Sequence, residues 1–217
     1  MTAFYVFAVT DAVPKTAGRG LSGPLVVRPI AGVYVALERR ADVPPVELGT
    51  LKRHHQTVER LANRVPAILP VRYGTLLTSD EIEEALEDRR EELADALDLV
   101  RGRRQMTWRV AAGRRQRAVE SAEAPPLSGA EYLRRASRSA SASTAPAFRR
   151  VRACVGELAI AERYQQPTAT LPESVYHLVD RAKVDAYQDA SKDLRESNEA
   201  LTLSGPWAPY AFVPDLF

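Results

Sequence analysis

Short apolar runs at the start of the chain are typical of β-strands. Residues 4–9, Phe-Tyr-Val-Phe-Ala-Val, form the first run and have high β propensity. A loop rich in glycine and proline follows at 11–24, and residues 25–27 and 32–37 form two further runs. The link between these two runs is too short for a crossover connection, so the pattern predicts an antiparallel pair. The chain therefore opens with three strands, and helices are needed to cover one face of the sheet.

From Pro44 onward the apolar positions recur at spacings of three and four, which is the period of an α-helix. Proline is tolerated in the first turn, so Pro44 and Pro45 mark the start of the predicted helix. The stripe expected to face the sheet consists of Leu48, Leu51, His55, Val58, Ala62 and Val65. We therefore expect His55 to be buried and the adjacent His54 to lie near the surface. Neighbouring residues on a helix point about 100° apart, so the two imidazoles cannot ligate one metal ion, and no metal site is predicted.

An apolar segment at 67–77 has the composition of a strand that Pro70 and Gly74 interrupt, and it contains Arg72 and Tyr73. Arginine is rarely buried without a partner. Arg72 is therefore expected either to point to solvent from the edge of a sheet or to pair with a carboxylate.

A second helix is predicted to begin after Thr78, because Thr78 and Glu81 have the spacing of a capping box. The faces of this helix that are not apolar are dense in Asp and Glu between residues 80 and 98, which is typical of a solvated surface. The alternative is an acidic docking face for a basic partner. Gly102 ends the helix and the composition then shifts to arginine, so the first domain is predicted to span residues 1–102. The buried stripe of this helix is expected to consist of Ile82, Leu86, Leu93, Leu97 and Val100.

The second predicted domain, residues 103–217, begins with an alternating strand at 106–111. Residues from about 112 to 145 are rich in Arg, Ser and Ala and are predicted to be flexible. Within them, a capping box at Ser128 and Glu131 predicts a helix that runs through Leu133 and Arg134. The alternation in the strand places Met106, Trp108 and Val110 on a half-buried face and Thr107 and Arg109 on the opposite one.

Apolar residues from Phe148 to Leu158 recur at helical spacing and predict an amphipathic helix. Cys154 lies beside this stripe and is expected to be a small buried residue; the alternative, given the arginines around it, is a reactive thiol. Residues 174–180 have strong β composition, and His177 alternates away from its apolar neighbours, so it is expected on the less buried face. The domain is thus predicted to run strand, helix, helix, strand, helix, strand.

The chain closes on an aromatic segment with two prolines. Gly205 and Pro206 suit a tight turn, and residues 210–213 have the composition of a short strand. We expect this strand to close a core and to brace the two domains, with Trp207 and Phe212 filling apolar space. The alternative is an exposed aromatic site for a partner.

Composition narrows the class of protein further. A hydrophobic content of 45% with a net charge of +2 excludes a protein that is intrinsically disordered over its whole length. The single cysteine excludes an internal disulfide, and the first residues lack the layout of a signal peptide. No apolar run approaches the roughly 18 residues that cross a bilayer. We therefore expect a cytoplasmic protein that does not enter the membrane.

Motifs of catalysis are missing from the sequence. It contains no G-x-S-x-G elbow, no Walker loop, no G-x-G-x-x-G after a strand and no H-E-x-x-H. The glycine-rich residues 19–23 precede no helix and so cannot hold a phosphate at a helix N-terminus. Arginine-rich tracts at 101–117 and 134–152 contain few aromatic residues, unlike most nucleic-acid binders. We predict neither an enzyme nor a nucleic-acid-binding protein, and no cofactor.

Three stretches together resemble the gas-vesicle protein F/L family, accessory proteins of the buoyancy organelles of aquatic and soil microbes. They are residues 4–9, the pair His54 and His55 followed by 68–75, and residues 204–213. The last two are specific, because ordinary packing demands neither Pro-x-Arg-aromatic-Gly nor Gly-Pro-Trp-x-Pro-Tyr-x-Phe. The order and spacing fit along nearly the whole chain, except around Gln105 and in the Ser/Ala tract after Arg135.

The resemblance implies an α+β protein of two domains, each with a small mixed or antiparallel sheet and helices on one face, as in ferredoxin-like folds. It implies a non-enzymatic role in gas vesicle formation, in which the protein binds the hydrophobic shell protein and other accessory proteins. The alternative is a sensing module for a small molecule or nucleic acid, because a ferredoxin-like fold alone does not decide function.

Two sets of residues follow from the resemblance. The expected interaction surface consists of Tyr5, Arg72, Tyr73, Glu84 and Asp88. The expected structural signature consists of Pro70, Gly74, Gly205, Pro206, Trp207, Pro209, Tyr210 and Phe212.

Overall fold

The structure of the protein, a computed structural model, describes residues 2–110, 146–168, 170–197 and 200–215. The predicted flexible region at about 112–145, with its capping box at Ser128 and Glu131, lies outside the described residues. The chain folds into two compact units. The first contains the residues up to Arg104 together with those from Trp207 onward, and the second contains Gln105–Pro206. The boundary between the units thus falls shortly after the predicted one at Gly102, and the end of the chain returns to the first unit.

The first unit is built on an antiparallel sheet in which strand β1 is central. The strand order is β2-β3-β1-β4, and β5 also pairs with β1. The predicted antiparallel pairing of the second and third strands is confirmed. Every residue of β1 from Phe4 to Thr10 is buried, which explains why this strand is a continuous apolar run rather than an alternating one. The strands are β1 Ala3–Thr10, β2 Val26–Ile30, β3 Val33–Arg40, β4 Ile68–Pro70 and β5 Leu76–Thr78.

Helices pack against this sheet, and their boundaries follow local sequence signals. The predicted capping box is confirmed, because the Glu81 N–H donates to Thr78 Oγ1 and the Thr78 N–H donates to Glu81 Oε2 at 2.7 Å. The single helix expected after Thr78 is interrupted at Asp88 and Arg89, and each half buries its own apolar residues. The helices are α1 Leu48–Ala62, α2 Ser79–Glu87 and α3 Arg90–Val100.

The buried face of α1 differs from the predicted one. His54 is buried and His55 is half-buried, the reverse of the expectation, and Leu48 and Leu51 are exposed. The reason is that polar side chains on the buried face have hydrogen-bond partners: the Thr50 hydroxyl donates to the Pro45 carbonyl at 2.7 Å, and His54 is bonded within the core. The buried residues of α1 are Thr50, His54, Thr57, Val58, Leu61 and Ala62.

The second unit contains a four-stranded sheet in the order β7-β8-β6-β9. β7 and β8 pair antiparallel, with Glu162 opposite His177 and Tyr164 opposite Val175. The predicted apolar stripe of the first helix is confirmed, since Phe148, Val151 and Val155 are all buried. The elements are β6 Arg103–Val110, α4 Pro146–Val155, β7 Ala159–Gln165, β8 Ser174–Asp180, α5 Val184–Ala190, α6 Lys192–Ser197 and β9 Leu201–Trp207.

Three expectations about this unit are wrong, and one strand was not predicted. Thr107 is fully buried, because both faces of β6 are covered over residues 104–108. His177 is buried rather than on an open face, and Cys154 is exposed rather than buried. The sequence pattern does not predict β7, because this strand is largely polar and most of its side chains are partly or fully exposed.

The end of the chain also differs from the prediction. Gly205 and Pro206, joined by a cis peptide bond, lie within β9 and do not form a turn. A Cβ on Gly205 would lie 2.7 Å from the Gln105 carbonyl oxygen, so the close approach of β9 to β6 requires glycine. Residues Tyr210–Phe212 form a 3₁₀ turn rather than a strand, closed by the Tyr210 N–H to the Ala208 carbonyl and the Phe212 N–H to the Pro209 carbonyl.

Candidate interaction surface

A cluster of aromatic side chains fixes the start of α1 on the sheet of the first unit. The Gly74 N–H donates to the Tyr5 hydroxyl oxygen at 3.1 Å, and the Tyr5 hydroxyl lies 2.9 Å from His54 Nδ1. The direction of the hydrogen bond between Tyr5 and His54 depends on the tautomer of the imidazole, because the hydroxyl can donate its hydrogen and can also accept a second one.

The protonation of His54 is set by its surroundings. Its ring stacks on Phe7, with centroids 5.4 Å apart, and meets the edges of Tyr5 and Tyr73. Burial lowers the pKa of His54 to about 4, although the Val71 carbonyl acts in the opposite direction. Burial likewise raises the pKa of Tyr5 to about 12. Both side chains are thus uncharged at neutral pH.

Tyr73 connects this cluster to the loop before α1. Its hydroxyl donates to the Pro45 carbonyl at 2.8 Å, and its ring packs edge-on against Tyr5. The next residue, Gly74, has φ +94°, a conformation that side chains with a Cβ rarely adopt. Pro70 is buried at the end of β4, opposite Ala8 of β1. The Pro-x-Arg-aromatic-Gly motif therefore builds the turn that carries Tyr73.

Arg72 points away from this cluster, and both of its predicted behaviours occur. Its side chain is 80% exposed, and its Nη2 lies 3.0 Å from Asp215 Oδ1, whose side chain is 74% exposed. An ion pair that open to water contributes about 0–1 kcal/mol to stability. Arg72 is therefore available to a partner.

Exposed apolar residues surround the N-terminal end of α1. Val43 and Val46 lie in the loop before the helix, and Leu48 and Leu51 lie in its first turns; their exposed fractions are 51%, 79%, 68% and 38%. We name these four residues the Leu48 face. Exposed apolar residues mark an interaction site where they form a contiguous patch.

The acidic helix α2 presents a different surface. Glu84 and Asp88 are exposed, and neither forms an ion pair within the described part of the chain. The neighbouring Glu87 and Glu92 are instead paired with Arg90 and Arg89. Unpaired carboxylates therefore remain available on α2.

Helix α1 also holds the end of the chain, residues 207–212, which we name the terminal segment. The Ala208 N–H donates to Glu59 Oε1 at 2.6 Å, and Arg104 Nη2 donates to Glu59 Oε2 at 2.7 Å. The rings of Trp207 and Tyr210 pack against His55, with centroids 5.2 and 6.3 Å away.

Burial accompanies these contacts of the terminal segment. Ala208, Pro209 and Phe212 are buried, and burial raises the pKa of Tyr210. The terminal segment thus packs as part of the first unit.

The glycine-rich residues 19–23 hold a carboxylate of the protein itself. The Ser22 and Gly23 N–H groups donate to Glu38 Oε1 at 3.1 and 2.8 Å, and the Leu21 N–H donates to Oε2. Burial acts to raise the pKa of Glu38, but the hydrogen bond from the Ser22 hydroxyl at 2.8 Å and those from the backbone outweigh it and hold the pKa below its ordinary value. The loop is therefore structural, with its amide groups already satisfied.

The second unit contains a chain of hydrogen bonds through its core. Trp108 Nε1–H donates to the Tyr187 hydroxyl oxygen at 2.8 Å, and that hydroxyl lies 2.6 Å from His177 Nδ1. His177 Nε2 lies 3.0 Å from Glu162 Oε2, and Arg152 Nε donates to Glu162 at 2.9 Å. Trp108, Tyr187 and His177 are all buried, so these hydrogen bonds lie within the core of the second unit.

The surroundings of Glu162 and Tyr187 in this series of hydrogen bonds fix the charge state of each side chain. Burial acts to raise the pKa of Glu162, but the hydrogen bonds from His177 and Arg152 lower it to about 2. Burial raises the pKa of Tyr187. Glu162 is therefore ionised and Tyr187 is protonated at neutral pH.

Metal-binding clusters and membrane-spanning helices are both absent from the residues that the structure describes. Within them, no group of three or more His, Cys, Asp or Glu side chains could hold a metal ion. Nor does any helix in this part of the chain have the length and apolar character needed to cross a membrane.

Only some residues of the expected interaction surface are exposed to solvent. Tyr5 and Tyr73 are in contact as expected, and Arg72 is adjacent, but Tyr5 is completely buried and cannot touch a partner. Glu84 on α2 and Asp88 directly after it are exposed to solvent.

Sequence reasoning misses the Leu48 face because the helical period of the apolar residues assigns Leu48 and Leu51 to the core. The signal that could have found it is the second helical series, Thr50, His54, Thr57 and Leu61, which marks the face that is actually buried.

Three comparisons with known proteins agree with one another. The family described as gas vesicle synthesis protein GvpL/GvpF matches residues 3–214. Gas vesicle protein L of Streptomyces sp. (strain CB03234) is 28% identical over 246 aligned positions, covering 96% of this chain and 92% of that protein.

Two solved structures share the fold. The crystal structure of gas vesicle protein GvpF from Anabaena sp. PCC7120 matches with a TM-score of 0.72 and 14% identity, covering 99% of this chain and 97% of that one. GvpF from Microcystis aeruginosa matches with a TM-score of 0.73 and 14% identity, covering 98% and 99%. The predicted α+β fold class is thereby confirmed.

Proposed function

Because the chain belongs to the family of gas vesicle synthesis proteins GvpL/GvpF, we propose that it is a non-enzymatic accessory protein that binds the hydrophobic shell protein during vesicle assembly. It acts in the cytoplasm, where it holds shell subunits, together with other accessory proteins, before they polymerise into the vesicle wall. The match of the family over residues 3–214 carries this proposal.

Exposed apolar side chains support a role in holding a hydrophobic partner. The Leu48 face keeps four apolar residues open to solvent on a unit that otherwise buries its core thoroughly. Burial of apolar surface in a complex contributes about 25 cal/mol per Å², so such a face favours an apolar partner over a charged one.

Polar groups elsewhere on the first unit are assigned to further contacts. We assign Arg72 and Tyr73 on the turn after β4, Glu84 on α2 and Asp88 at its C-terminal end to contacts with the shell protein or with an accessory protein. Arg72 exchanges partners at little cost, since its pairing with Asp215 is exposed to water. Tyr5 acts behind this surface, by holding Gly74 and His54 in place.

Deletion of the gene from its gas vesicle operon tests the function. We expect vesicle yield to fall and vesicle shape to change, and complementation with the intact gene to restore both, as seen by electron microscopy of cells. Normal vesicles in the deletion strain would contradict the proposal.

Capture of the shell protein tests the charged contacts. We expect Arg72→Glu, and separately Glu84→Lys with Asp88→Lys, to reduce the amount of shell protein retained on the tagged chain. Arg149→Glu, at an exposed site in the second unit, is the matched control. Unchanged capture by both variants would exclude this surface.

Salt dependence separates the sensing alternative from the proposal. Apolar contacts should survive high salt, whereas binding to nucleic acid should weaken steeply as counterions compete.

A further inference from the structure

One end of the sheet in the first unit contains a cavity of about 400 Å³ that takes no part in the proposed function. Proteins bind small molecules in cavities of about 300–1,000 Å³. This cavity lies where β1 begins, β3 ends and α2 starts. We name it the Arg28 pocket, and the residues that line it are Thr2, Phe4, Val26, Arg28, Arg39 and Ser79.

The pairing of the strands brings two arginines to the same side of the sheet. Phe4 of β1 lies opposite Arg39 of β3. Arg28 of β2 lies opposite Val35, which precedes Arg39 by four residues on β3. Paired residues and residues an even number apart on one strand share a face, so Arg28, Arg39 and Phe4 lie on one side. Tyr5 alternates to the other side, where α1 packs, so the pocket is on the face away from α1.

Both arginines of the pocket lack an acidic partner. The guanidinium carbon of Arg28 lies 4.5 Å from the centroid of the Phe4 ring, which holds the group beside an aromatic surface. Within the described residues, neither Arg28 nor Arg39 forms an ion pair, and no carboxylate lines the cavity. Of the two acids in the first turn of α2, Asp80 forms no ion pair in this part of the chain and Glu81 caps the helix. Two uncompensated positive charges therefore line one cavity.

The chemistry of the lining favours a carboxylate that carries an apolar group. Arginine presents its N–H donors in a planar fork that matches the two oxygens of a carboxylate. Val26 is 43% exposed and gives the same cavity an apolar wall. The hydroxyls of Thr2 and Ser79 are further donors to an anion. Because both arginines lie on paired strands, the site is formed before a ligand arrives, which lowers the entropic cost of binding.

We propose that the Arg28 pocket binds a carboxylate that carries a short branched apolar group. The carboxylate lies between Arg28 and Arg39, and the apolar group packs against Val26. Either a free small carboxylic acid or the last residue of a polypeptide chain supplies such a ligand. This inference goes beyond the proposed function, because neither the Leu48 face nor Arg72 lines the pocket.

Nuclear magnetic resonance of the intact chain tests the ligand class. We add isovalerate, its neutral amide isovaleramide, acetate and inorganic phosphate, and follow the Nε–Hε signals of Arg28 and Arg39. Isovalerate should shift both signals saturably, acetate should bind more weakly because it lacks the branched group, and isovaleramide should shift neither signal. Tighter binding of phosphate than of isovalerate, or equal binding of the amide, would overturn the proposal.

Two further compounds separate the sources of the carboxylate. N-acetyl-leucine imitates a chain end with an apolar last residue, and the α-amide of N-acetyl-glutamate imitates an acidic side chain. Tighter binding of N-acetyl-leucine than of isovalerate identifies a chain end as the ligand, and the reverse order identifies a free acid; both results support the proposal. If the glutamate compound bound as tightly as N-acetyl-leucine, the apolar group would not be needed and the proposal would be wrong.

Substitutions of the arginines test the charged side of the pocket. Arg28→Gln and Arg39→Gln should each weaken isovalerate binding by about tenfold, because each removes a charge-assisted contact. Arg28→Lys should restore only part of the affinity, since lysine keeps the charge but not the planar fork. The matched control is Arg53→Gln, which removes the same charge from an exposed site on α1 and should leave binding unchanged.

A substitution of the wall tests the apolar side of the pocket. Val26→Ser should weaken isovalerate binding and leave acetate binding unchanged, because only the branched group contacts that wall. The unfolding midpoints should not move, because the substituted side chains are at least partly exposed. An equal loss of binding in Arg28→Gln and Arg53→Gln would show that the net charge of the protein attracts the anion, and this result would overturn the proposal.

Discussion

His54 in the first unit and His177 in the second are both buried, but they are stabilised in different ways. His54 lies among the rings of Tyr5, Phe7 and Tyr73, and its one strong polar contact is the Tyr5 hydroxyl. His177 has a hydrogen-bond partner at each ring nitrogen, and one of them is a carboxylate. The first environment favours only the neutral imidazole, whereas the second places a carboxylate beside the ring.

The two cores therefore have different roles in the molecule. The aromatic cluster around His54 positions a loop and a helix beside an exposed surface, and it depends on the ring staying uncharged. In the second core, a series of hydrogen bonds from Trp108 to Glu162 connects side chains that are far apart in the sequence. It ends in the ion pair between Glu162 and Arg152. Loss of one group should therefore disturb the second core more than the first.

The largest expected effect is that of Tyr187→Phe. The Tyr187 hydroxyl is hydrogen-bonded to Trp108 Nε1–H and to His177 Nδ1, both of which are buried. Its removal leaves two unsatisfied groups and should lower the free energy of unfolding by about 4 kcal/mol. Tyr5→Phe should cost less, about 2 kcal/mol, because Gly74 is only partly buried.

Urea unfolding can measure each unit separately, because Trp108 reports on the second and Trp207 on the first. Each measurement is made with the other tryptophan replaced by phenylalanine. A smaller loss for Tyr187→Phe than for Tyr5→Phe would contradict the proposed difference between the two cores.

The next effect is a pH dependence of the first unit. The folded-state pKa of His54 is about 4, below the ordinary value of 6.5, so the unfolded chain binds a proton first as pH falls. The stability from neutral His54 should be complete above pH 6.5 and lost progressively toward pH 4. The loss should be on the order of 3 kcal/mol.

His54→Asn should flatten this part of the profile, because asparagine offers an acceptor to the Tyr5 hydroxyl but does not titrate. His55→Phe is the control, and it should keep the full slope. The measurement is the free energy of unfolding from the Trp207 signal at several pH values. An unchanged slope in His54→Asn would show that other groups cause the pH dependence.

The smallest effect is expected for Glu162→Gln. The folded-state pKa of Glu162 is about 2, below the ordinary 4.5, so its stabilisation is present above pH 4.5 and lost as pH falls toward 2. The side chain is partly open to water, which screens its pairing, so we expect the variant to lose about 1 kcal/mol at neutral pH. Its unfolding free energy, followed by Trp108, should also vary less with pH in that acidic window than that of the control Glu157→Gln. Identical pH profiles for the two variants would show that Glu162 does not contribute to the pH dependence of the unfolding free energy.

Local signals predict much of the fold. The strand at the start of the chain, the antiparallel pair after it and the capping box at Thr78 and Glu81 all depend on residues close in sequence. The strand around His177 is predicted for the same reason. These elements follow from propensity and periodicity alone.

Features that depend on distant partners could not be predicted in this way. His54 is buried because Tyr5, 49 residues earlier, supplies a hydroxyl, and Trp108 meets Tyr187 across 79 residues. Each long-range hydrogen bond converts a polar residue into a core residue, and periodicity counts only apolar positions. The Leu48 face is hidden by the same rule, because exposed leucines are counted as core.

The division of the chain has a consequence for its synthesis. The first unit contains residues on both sides of Gln105–Pro206, so translation completes the whole second unit before Trp207 and Ala208 are made. Until then Glu59 lacks its hydrogen bond from Ala208, and His55 lacks the rings of Trp207 and Tyr210 that pack on it. On the ribosome this helix therefore exposes a side that the terminal segment covers in the finished protein.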